Sequence, residues 1–578
     1  MTPPFIEAAI VFPPLWYYPY APPDVAAVAA TLRAAGHHVS LIDANMECAD
    51  SLLSASEIGR CADVLELRRE ENEPARVIQA AVADAKATLR DQRFFEIVQH
   101  TRAAAVLRAA WGIVSRAHAP TVIDSQGFRM RYDRERISEC LRGAQDAAQN
   151  PYFRHLTDSV LPRLVQMRPR LVGLVFVHPD QMIPLLGLAA AMRSELPECH
   201  VTVLGCLEDQ VTFARFLRDP RHPEVMTLAS LVDSVILHEA DVAIVRVANA
   251  LAEGQAPRDV PNLATFGAEG ARLPQRVEAL DVMRLPRPDY DGLPLDLYPF
   301  PERTLPIVAA RGCYWNRCDF CAITTNQLSY RTREPATVAQ DIEQLQRRHG
   351  VRFFHFRDML VSPAFLRRFS EQALERRLDI RWTARVRFEA ALSAELLALA
   401  RAAGCVQLWF GLESASPRVL DAMDKGIRLP DVISILRACD AAGLGTHVLA
   451  MHGHPSETDD DVETTLRFLE EHAQLIDSVS YTDFILFSDS LLFDQAAKRG
   501  LSVPSRRSLL QVRFEHRASE EQRRIHARHL ALTDRVQRAI PMPLGHLSHV
   551  APMIERHGVR AWRKLRHTQA QELGACSS

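Results

Sequence analysis

The sequence predicts an α/β protein made of two parallel-sheet units, a doubly wound unit split by a helical insertion and a partial barrel of six strand–helix repeats, followed by a small, mostly helical C-terminal region. Three observations predict this. At 578 residues the chain has room for about four domains, or three if one is a large barrel. Short continuous apolar runs alternate with amphipathic stretches of helical length, as a parallel sheet covered on both faces requires. The alternation occurs twice, separated by a stretch rich in Pro, Gly and Asp over residues 256–304 that includes LPRPDYDGLPLDLYPFP and reads as a linker.

In the first unit, residues 5–12 read as a strand, and Pro13, Pro14, Pro22 and Pro23 then force a loop. A helix from Asp24 to Ala35 stops at Gly36, and His38 to Asp43 forms a second strand. Residues 46–168 are rich in Ala, Arg and Glu at helical spacing and read as a mostly helical insertion. Strand, helix and strand resume at Leu171–Val177, 183–195 and His200–Leu204, and Val232–Leu237 with a helix from Asp241 to Leu251 completes a unit spanning residues 1–255. In the second unit, spanning 305–487, strands are expected at 306–310, 352–356, 380–384, 405–410, 444–450 and 477–483. Helices are expected at 336–348, 364–377, 393–402, 417–423, 430–442 and 459–471. In parallel barrels chemistry sits at the C-terminal ends of strands. Residues 488–578 read as a helical region without a clear motif.

Composition removes several functional classes. Apolar residues make up 47% and charged residues 24% of the chain, enough to bury several cores, so disorder is not the main state. Lys and Arg (68) against Asp and Glu (71) leave a net charge of −3, which excludes a strongly basic nucleic-acid protein as a whole-chain reading. The most apolar stretch near membrane length, 171–192, is interrupted by His178, Pro179, Asp180 and Gln181, which a lipid-facing helix does not tolerate, so no membrane association is expected. The N-terminal run has no basic residue ahead of it and is broken by prolines, so it is not read as a secretory signal and a cytoplasmic protein is expected.

Of eleven cysteines, Cys48, Cys61, Cys140, Cys199, Cys206, Cys405, Cys439 and Cys576 stand singly and read as buried thiols. Cys313, Cys318 and Cys321 cluster as C-x4-C-x2-C directly after the first barrel strand. Three thiolates this close in sequence suit one soft metal centre, and on a [4Fe–4S] cluster they leave one iron open. A zinc site needs a fourth ligand, normally from a second CxxC or a His pair, and none is evident at that spacing. Accidental clustering is the remaining alternative.

The segment RGCYWNRCDFC, with Phe320 directly before the third cysteine, resembles the radical S-adenosylmethionine superfamily and its CxxxCxΦC motif. The spacing here is one residue longer between the first two cysteines, as in the subgroup with an N-terminal cobalamin-binding domain. The resemblance continues in order through Arg387 and Glu389 (R-x-D/E), Gly411-Leu-Glu413-Ser414 (GxES) and Gly453-His-Pro455-Ser-Glu457-Thr458 (GxPxET). It implies that Phe320 packs on the adenine of S-adenosylmethionine, that Glu413 and Ser414 bond its ribose, and that Asp358 pairs with its ammonium and Arg387 with its carboxylate. Bland alternatives stand beside these: Asp358 and Glu413-Ser414 as helix caps, Arg387 as a surface residue, Lys425-Gly426 as a helix terminus.

The first unit resembles the Rossmann-like cobalamin-binding domain of the same subgroup through VFPPL, VGLVFVHPDQMIPLLGLAAAM, HVTVLGC and VDSVILHEADVAIVRVANALAEG. It lacks D-x-H-x-x-G, so no histidine is expected on the cobalt from below. Binding would rest on strand-end loops, with His178 and Gln181 facing the corrin and Gly205 allowing close backbone approach. A Rossmann-like domain without the cofactor is the alternative. His355, His447, His452 and His454 read mostly as wall residues, with His452 and His454 the pair to watch. The basic run 506–538 reads as a solvated face.

The resemblance implies a cobalamin-dependent radical enzyme that methylates an unactivated carbon of a small-molecule or peptide substrate, such as a natural-product intermediate. It implies an external electron donor such as flavodoxin or ferredoxin as partner. Rearrangement, cyclisation or oxidation without methyl transfer is the rival, and a non-catalytic cobalamin or metal sensor is the remote one. No individual catalytic residue is singled out.

Overall fold

A computed structural model describes residues 5–15, 20–68, 73–124, 127–134, 136–205, 213–325, 329–487, 490–502, 515–516, 528–541 and 547–575. Cys206, Cys576 and most of the basic run 506–538 lie outside the described residues. Among the described residues, 5–91 and 102–301 group into one compact unit, and 92–101 with 302 onward into another.

The first unit contains β1 (Glu7–Val11), α1 (Pro23–Ala34), β2 (His38–Ile42), then the helical insertion, then β3 (Leu171–Phe176), α2 (Met182–Glu195), β4 (His200–Gly205), β5 (Ser234–Ile236) and α3 (Ala240–Ala252). Two further strands follow, β6 (Leu263–Gly267) and β7 (Gly270–Arg272). The sheet order is β2-β1-β3-β4-β5-β6-β7, parallel as far as β5 and antiparallel beyond it. All six residues of β3 are buried, because helices cover both faces of a central parallel strand. The expected linker is corrected at its start: LATFG and GAR form a sheet-edge hairpin, and the unit runs on to Pro301. The Gly- and Pro-rich flanks masked so short a pair of strands. The insertion is helical as expected apart from a two-residue hairpin, Val122–Ile123 with Phe128–Arg129.

The second unit repeats strand and helix: β8 (Thr304–Ile307), α4 (Pro335–His349), β9 (Phe353–Phe356), α5 (Pro363–Glu375), β10 (Arg381–Val386), α6 (Ala394–Ala402), β11 (Cys405–Glu413), α7 (Pro417–Ala422), α8 (Leu429–Ala442), β12 (Gly445–His452), α9 (Asp459–Glu471) and β13 (Ser478–Asp483). The six strands pair in chain order and all in parallel. One face is aromatic and aliphatic. Phe356 meets Phe369 of α5 at 5.0 Å and Trp382 at 5.6 Å in edge-on contacts, the geometry ring quadrupoles favour. Truncating Phe356 to Ala is expected to cost about 3–5 kcal/mol.

The N-terminal ends of these strands are closed by α11 (Val550–His557) and α12 (Val559–Ala575), which follow α10 (His529–Ala539). Arg563 holds the fully buried Asp477 through Nε at 2.8 Å and Nη2 at 3.0 Å. Arg566, also fully buried, donates to the carbonyls of Ala473, Ile476 and Asp477. With its N-terminal end shut in this way, the sheet's chemistry is left to the C-terminal rim.

Candidate active site

The three clustered cysteines lie on the loop leaving β8 at that rim, each half-buried. A turn joins Cys321 N–H to the Cys318 carbonyl at 3.3 Å. The longer spacer between Cys313 and Cys318 is taken up by Asn316, which adopts φ +46°, a left-handed conformation that Asn tolerates better than most residues.

Tyr314, Trp315, Arg317 and Asp319 of the spacers each have a dedicated partner. Tyr314 donates its hydroxyl to Glu389. Trp315 donates its indole N–H to the Asp424 carbonyl at 2.9 Å, and the Arg387 guanidinium lies 3.7 Å from its ring centroid. Arg317 forks onto the Asp424 carboxylate at 2.9 and 3.1 Å. Asp319 donates its N–H to the Met423 carbonyl at 3.1 Å and pairs its carboxylate with Arg499 at 2.6 Å. Gly426 sits beneath Trp315 at φ +63°, where a Cβ would stand 2.3 Å from the indole. Lys425-Gly426 is therefore more than a helix terminus: it is the bed of the cysteine loop. Arg387 is 4% exposed and is no surface residue.

Lys425 is enclosed, which disfavours its ammonium, yet Glu413 at 2.8 Å and the neighbouring Cys318 hold its affinity for the proton above the usual lysine range. A Cβ on Gly411 would meet Glu413 Oε1 at 2.6 Å and Lys425 Nζ at 2.8 Å, so that glycine leaves room for the pair. Burial pushes the Cys321 thiol up to about 12. Such a thiol stays protonated at neutral pH unless a metal replaces the proton. Among the described residues no three His, Cys, Asp or Glu side chains converge on a single ion. Three thiols backed by Lys425 and Arg387 suit a multi-iron cluster, which they would hold with one thiolate per iron and whose thiolate-bound form would carry net negative charge.

The other expected contacts are redistributed. Asp358 does not cap α5, whose cap is Ser362; its carboxylate accepts from the amides of Ala309 at 3.0 Å and of Ala310, pinning the start of the loop. Burial pushes it up to about 7, against the pull of those amides. Ser414 is fully buried, bonded to Thr465 Oγ1 at 3.1 Å and to the Ser416 amide. It braces the interior and does not face a ribose. Nor do Glu413 and Ser414 cap α7, whose cap position is Ser416. Phe320 is half-buried against a core cluster that includes Val419, Met423 and Phe484. His452 and His454 part company: His452 stacks on Tyr481 and on His529 of α10, each at 5.0 Å, whereas His454 lies 3.8 Å from Asp319.

In the first unit, Gly205 ends β4 beside Phe176 at the end of β3, and His178 follows two residues beyond that strand. His178 Nδ1 accepts the Asp180 N–H at 3.2 Å. Gln181, expected to face a ligand, is fully buried, accepting from the Val177 and His178 amides and donating to the Pro13 carbonyl at 2.9 Å. It is a brace between strand ends. A Cβ on Gly205 would make only ordinary contact, 3.6 Å from the Ile236 carbonyl, so packing alone does not demand glycine there.

The site is thus a six-stranded parallel sheet with three thiols on the loop after its first strand. Residues 307–469 match the family profile described as the radical SAM superfamily. Residues 307–469 thus form a radical SAM domain, and such a domain implies a [4Fe–4S] cluster and S-adenosylmethionine. An uncharacterised methyltransferase of Pyrococcus horikoshii is 28% identical over 246 residues, 42% of this chain and 53% of the relative. The anaerobic magnesium-protoporphyrin IX monomethyl ester cyclase of Rubrivivax gelatinosus is 26% identical over 327 residues, 54% of this chain and 56% of the relative. The chain thus spans about half the length of the curated relatives it matches. Among solved structures, the radical S-adenosylmethionine methyltransferase TsrM from Kitasatospora setae, with tryptophan and a SAM analogue bound, aligns at TM-score 0.60 and 15% identity over 99% of this chain and 100% of that one. A second TsrM structure, with cobalamin and a [4Fe–4S] cluster bound, aligns at TM-score 0.53 and 16% identity over 91% and 85%. At these identities the likeness is one of fold.

Proposed function

We propose that this chain is a cobalamin-dependent radical S-adenosylmethionine enzyme that methylates an unactivated carbon of a small molecule or peptide. The observation that supports it most is the cysteine loop itself, three thiols clamped at the rim by Lys425-Gly426, Arg387 and Glu389. When bound, the cofactors supply one-electron reductive cleavage of S-adenosylmethionine and a transferable methyl group. The chain's residues do the rest. Lys425 and Arg387 offset thiolate charge, Trp315 and Tyr314 fix the loop, and Asp319 with Arg499 closes its far side. Phe320 and Glu413, both half-exposed at the rim, contact the nucleoside, while Asp358 and Ser414 act from behind. In the first unit His178 and Gly205 face the corrin. The cyclase-named relative supports the rival reading, a radical reaction without methyl transfer.

Anaerobic reconstitution should give close to four irons per chain, roughly the content of one cluster. Dithionite-reduced enzyme should convert S-adenosylmethionine to 5′-deoxyadenosine, and Cys318→Ala should abolish this. Iron and sulfide undiminished in a triple alanine variant at Cys313, Cys318 and Cys321 would sink the radical reading. With substrate present, 5′-deoxyadenosine and S-adenosylhomocysteine should form in near-equal amounts, one from each of two S-adenosylmethionines. 5′-Deoxyadenosine without S-adenosylhomocysteine would instead favour the cyclase-like reaction.

A further inference from the structure

Barrel lumens are ordinarily packed with Val, Ile and Leu. This one is polar. Register pairs Thr383 with Gln407, Trp409 with His447 and His447 with Ser478, and Ser480 lies two residues beyond Ser478, so these side chains share the face opposite to the Phe356–Trp382 layer. Five of them form one hydrogen-bonded chain: Trp409 Nε1 to Gln407 Oε1 at 3.1 Å, Gln407 Nε2 to Ser478 Oγ at 3.2 Å, Ser478 Oγ to His447 Nδ1 at 2.9 Å and His447 Nε2 to Ser480 Oγ at 3.2 Å. Gln407, Ser478 and His447 are buried, whereas the two ends, Trp409 and Ser480, are half-exposed.

The first member of the chain sets the direction of donation. An indole N–H can only donate, so Gln407 turns its carbonyl oxygen to Trp409 and its amide N–H to Ser478. Among the described residues Ser478 Oγ has no partners but Gln407 and His447, so its hydrogen goes to His447 Nδ1. Turned elsewhere, it would be a buried donor without an acceptor. Burial with Arg385 holds His447 at about 3, so its ring is neutral at pH 7 and carries one hydrogen. With Nδ1 accepting, that hydrogen sits on Nε2 and is donated to Ser480 Oγ. All four bonds point one way, an arrangement in which each polarises the next. The hydroxyl hydrogen of Ser480 is left for the mouth of the lumen. There the Trp409 ring lies 4.5 Å from that of His447, and Leu449, the register partner of Ser480, is also half-exposed.

We propose that Ser480 is a specificity-determining residue: its hydroxyl hydrogen, aimed by the chain that starts at Trp409, donates to a carbonyl oxygen of the substrate, whose apolar part lies against Trp409 and Leu449. His447, Ser478 and Gln407 are positioning residues that act through it. This rests on the radical reading only in naming the bound molecule a substrate.

Two measurements on the reconstituted full chain test this. Nitrogen NMR of histidine-labelled protein, with His447→Gln to assign the signals, should find the ring hydrogen of His447 on Nε2. A hydrogen on Nδ1 overturns the proposal. Gln407→Glu should move it to Nδ1 at about pH 8, because a carboxylate takes the Ser478 hydrogen and leaves Ser478 to accept from the ring. A hydrogen that stays on Nε2 in that variant means that the chain does not set it, and also overturns the proposal. Calorimetric titration reads the use of the hydroxyl. The flat ketone 1-indanone should bind the unaltered chain, and Ser480→Ala should weaken it roughly fivefold, the worth of one neutral hydrogen bond. Indole, whose only polar group is a donor, should be nearly unchanged by the same substitution. Ser480→Cys, with its weak donor, should weaken 1-indanone in the same direction and stands in if the alanine variant does not fold. No 1-indanone bound at about 10 mM, equal weakening of both rings, or no weakening of the ketone overturns the proposal. Because neither measurement requires S-adenosylmethionine cleavage, the expected results without 5′-deoxyadenosine formation defeat the radical reading alone, and the converse defeats this one alone.

Discussion

Gly426 shows how much one residue carries. Its φ of +63° and the indole lying where a Cβ would stand leave no other side chain an unstrained fit. Gly426→Ala should therefore lift Trp315 from its bed and release Arg387. The expected outcome is a cluster content at least halved after reconstitution, with the melting temperature shifted by only a few degrees, roughly the response to a 1 kcal/mol loss. Iron and sulfide analysis beside calorimetric melting separates the two. Asp461 makes a second residue-scale case. Burial alone would raise it, but Ser416, Thr458 and Arg418 donate to it and hold it at about 2. A carboxyl depressed in this way stabilises the fold above its unfolded value near 4, and that contribution is lost as the pH falls toward 2. Asp461→Asn should lower stability at pH 7 by about 1 kcal/mol and flatten the acid limb of a pH–melting curve.

Among elements, α7 and α9 show why two separate motif segments occur together. Ser414 reaches Thr465, while Ser416 and Arg418 reach Asp461, so the end of GLES with the start of α7 and the helix that follows HPSET form one hydrogen-bonded joint. Neither half is satisfied alone, because buried hydroxyls need partners. The C-terminal helices depend on one ion pair in the same way. Arg563→Met would leave Asp477 buried without its bidentate partner, and removing one member of such a pair costs about 3–5 kcal/mol. Equilibrium unfolding should register that loss, and Asp477→Asn combined with Arg563→Met should recover part of it. A loss below about 1 kcal/mol for the single variant would mean that water already reaches Asp477.

At the scale of the molecule, each unit ends its parallel strands in a rim of loops. The first unit has no D-x-H-x-x-G, and His178 Nδ1 serves as the acceptor of a turn. Co(II)-cobalamin bound to this chain is expected to show no nitrogen hyperfine splitting from a protein imidazole. Electron paramagnetic resonance of the wild type and His178→Ala should give the same cobalt signal. A signal that changes in the variant would place that imidazole on the metal. No described helix is long and apolar enough to cross a membrane.

The order and number of elements were legible in the amino-acid sequence. All six barrel strands and the helices after them fall within a few residues of the expected places, because period-2 and period-3.6 patterns are local properties of a chain. The cysteine loop was legible for the same reason: its three thiols lie within nine residues, directly after a strand. Only tertiary structure decided what those elements meet. Arg387 and Trp315 are far apart in sequence, as are Ser414 and Thr465 or Gln181 and Pro13, and no periodicity couples them. HFR, TARVR and QLWFG alternate polar and apolar residues, but which face becomes the lumen depends on how the sheet curls and where its helices pack. That choice places Arg385 and Trp409 on the lumen face, an outcome of strand closure and not of any local signal.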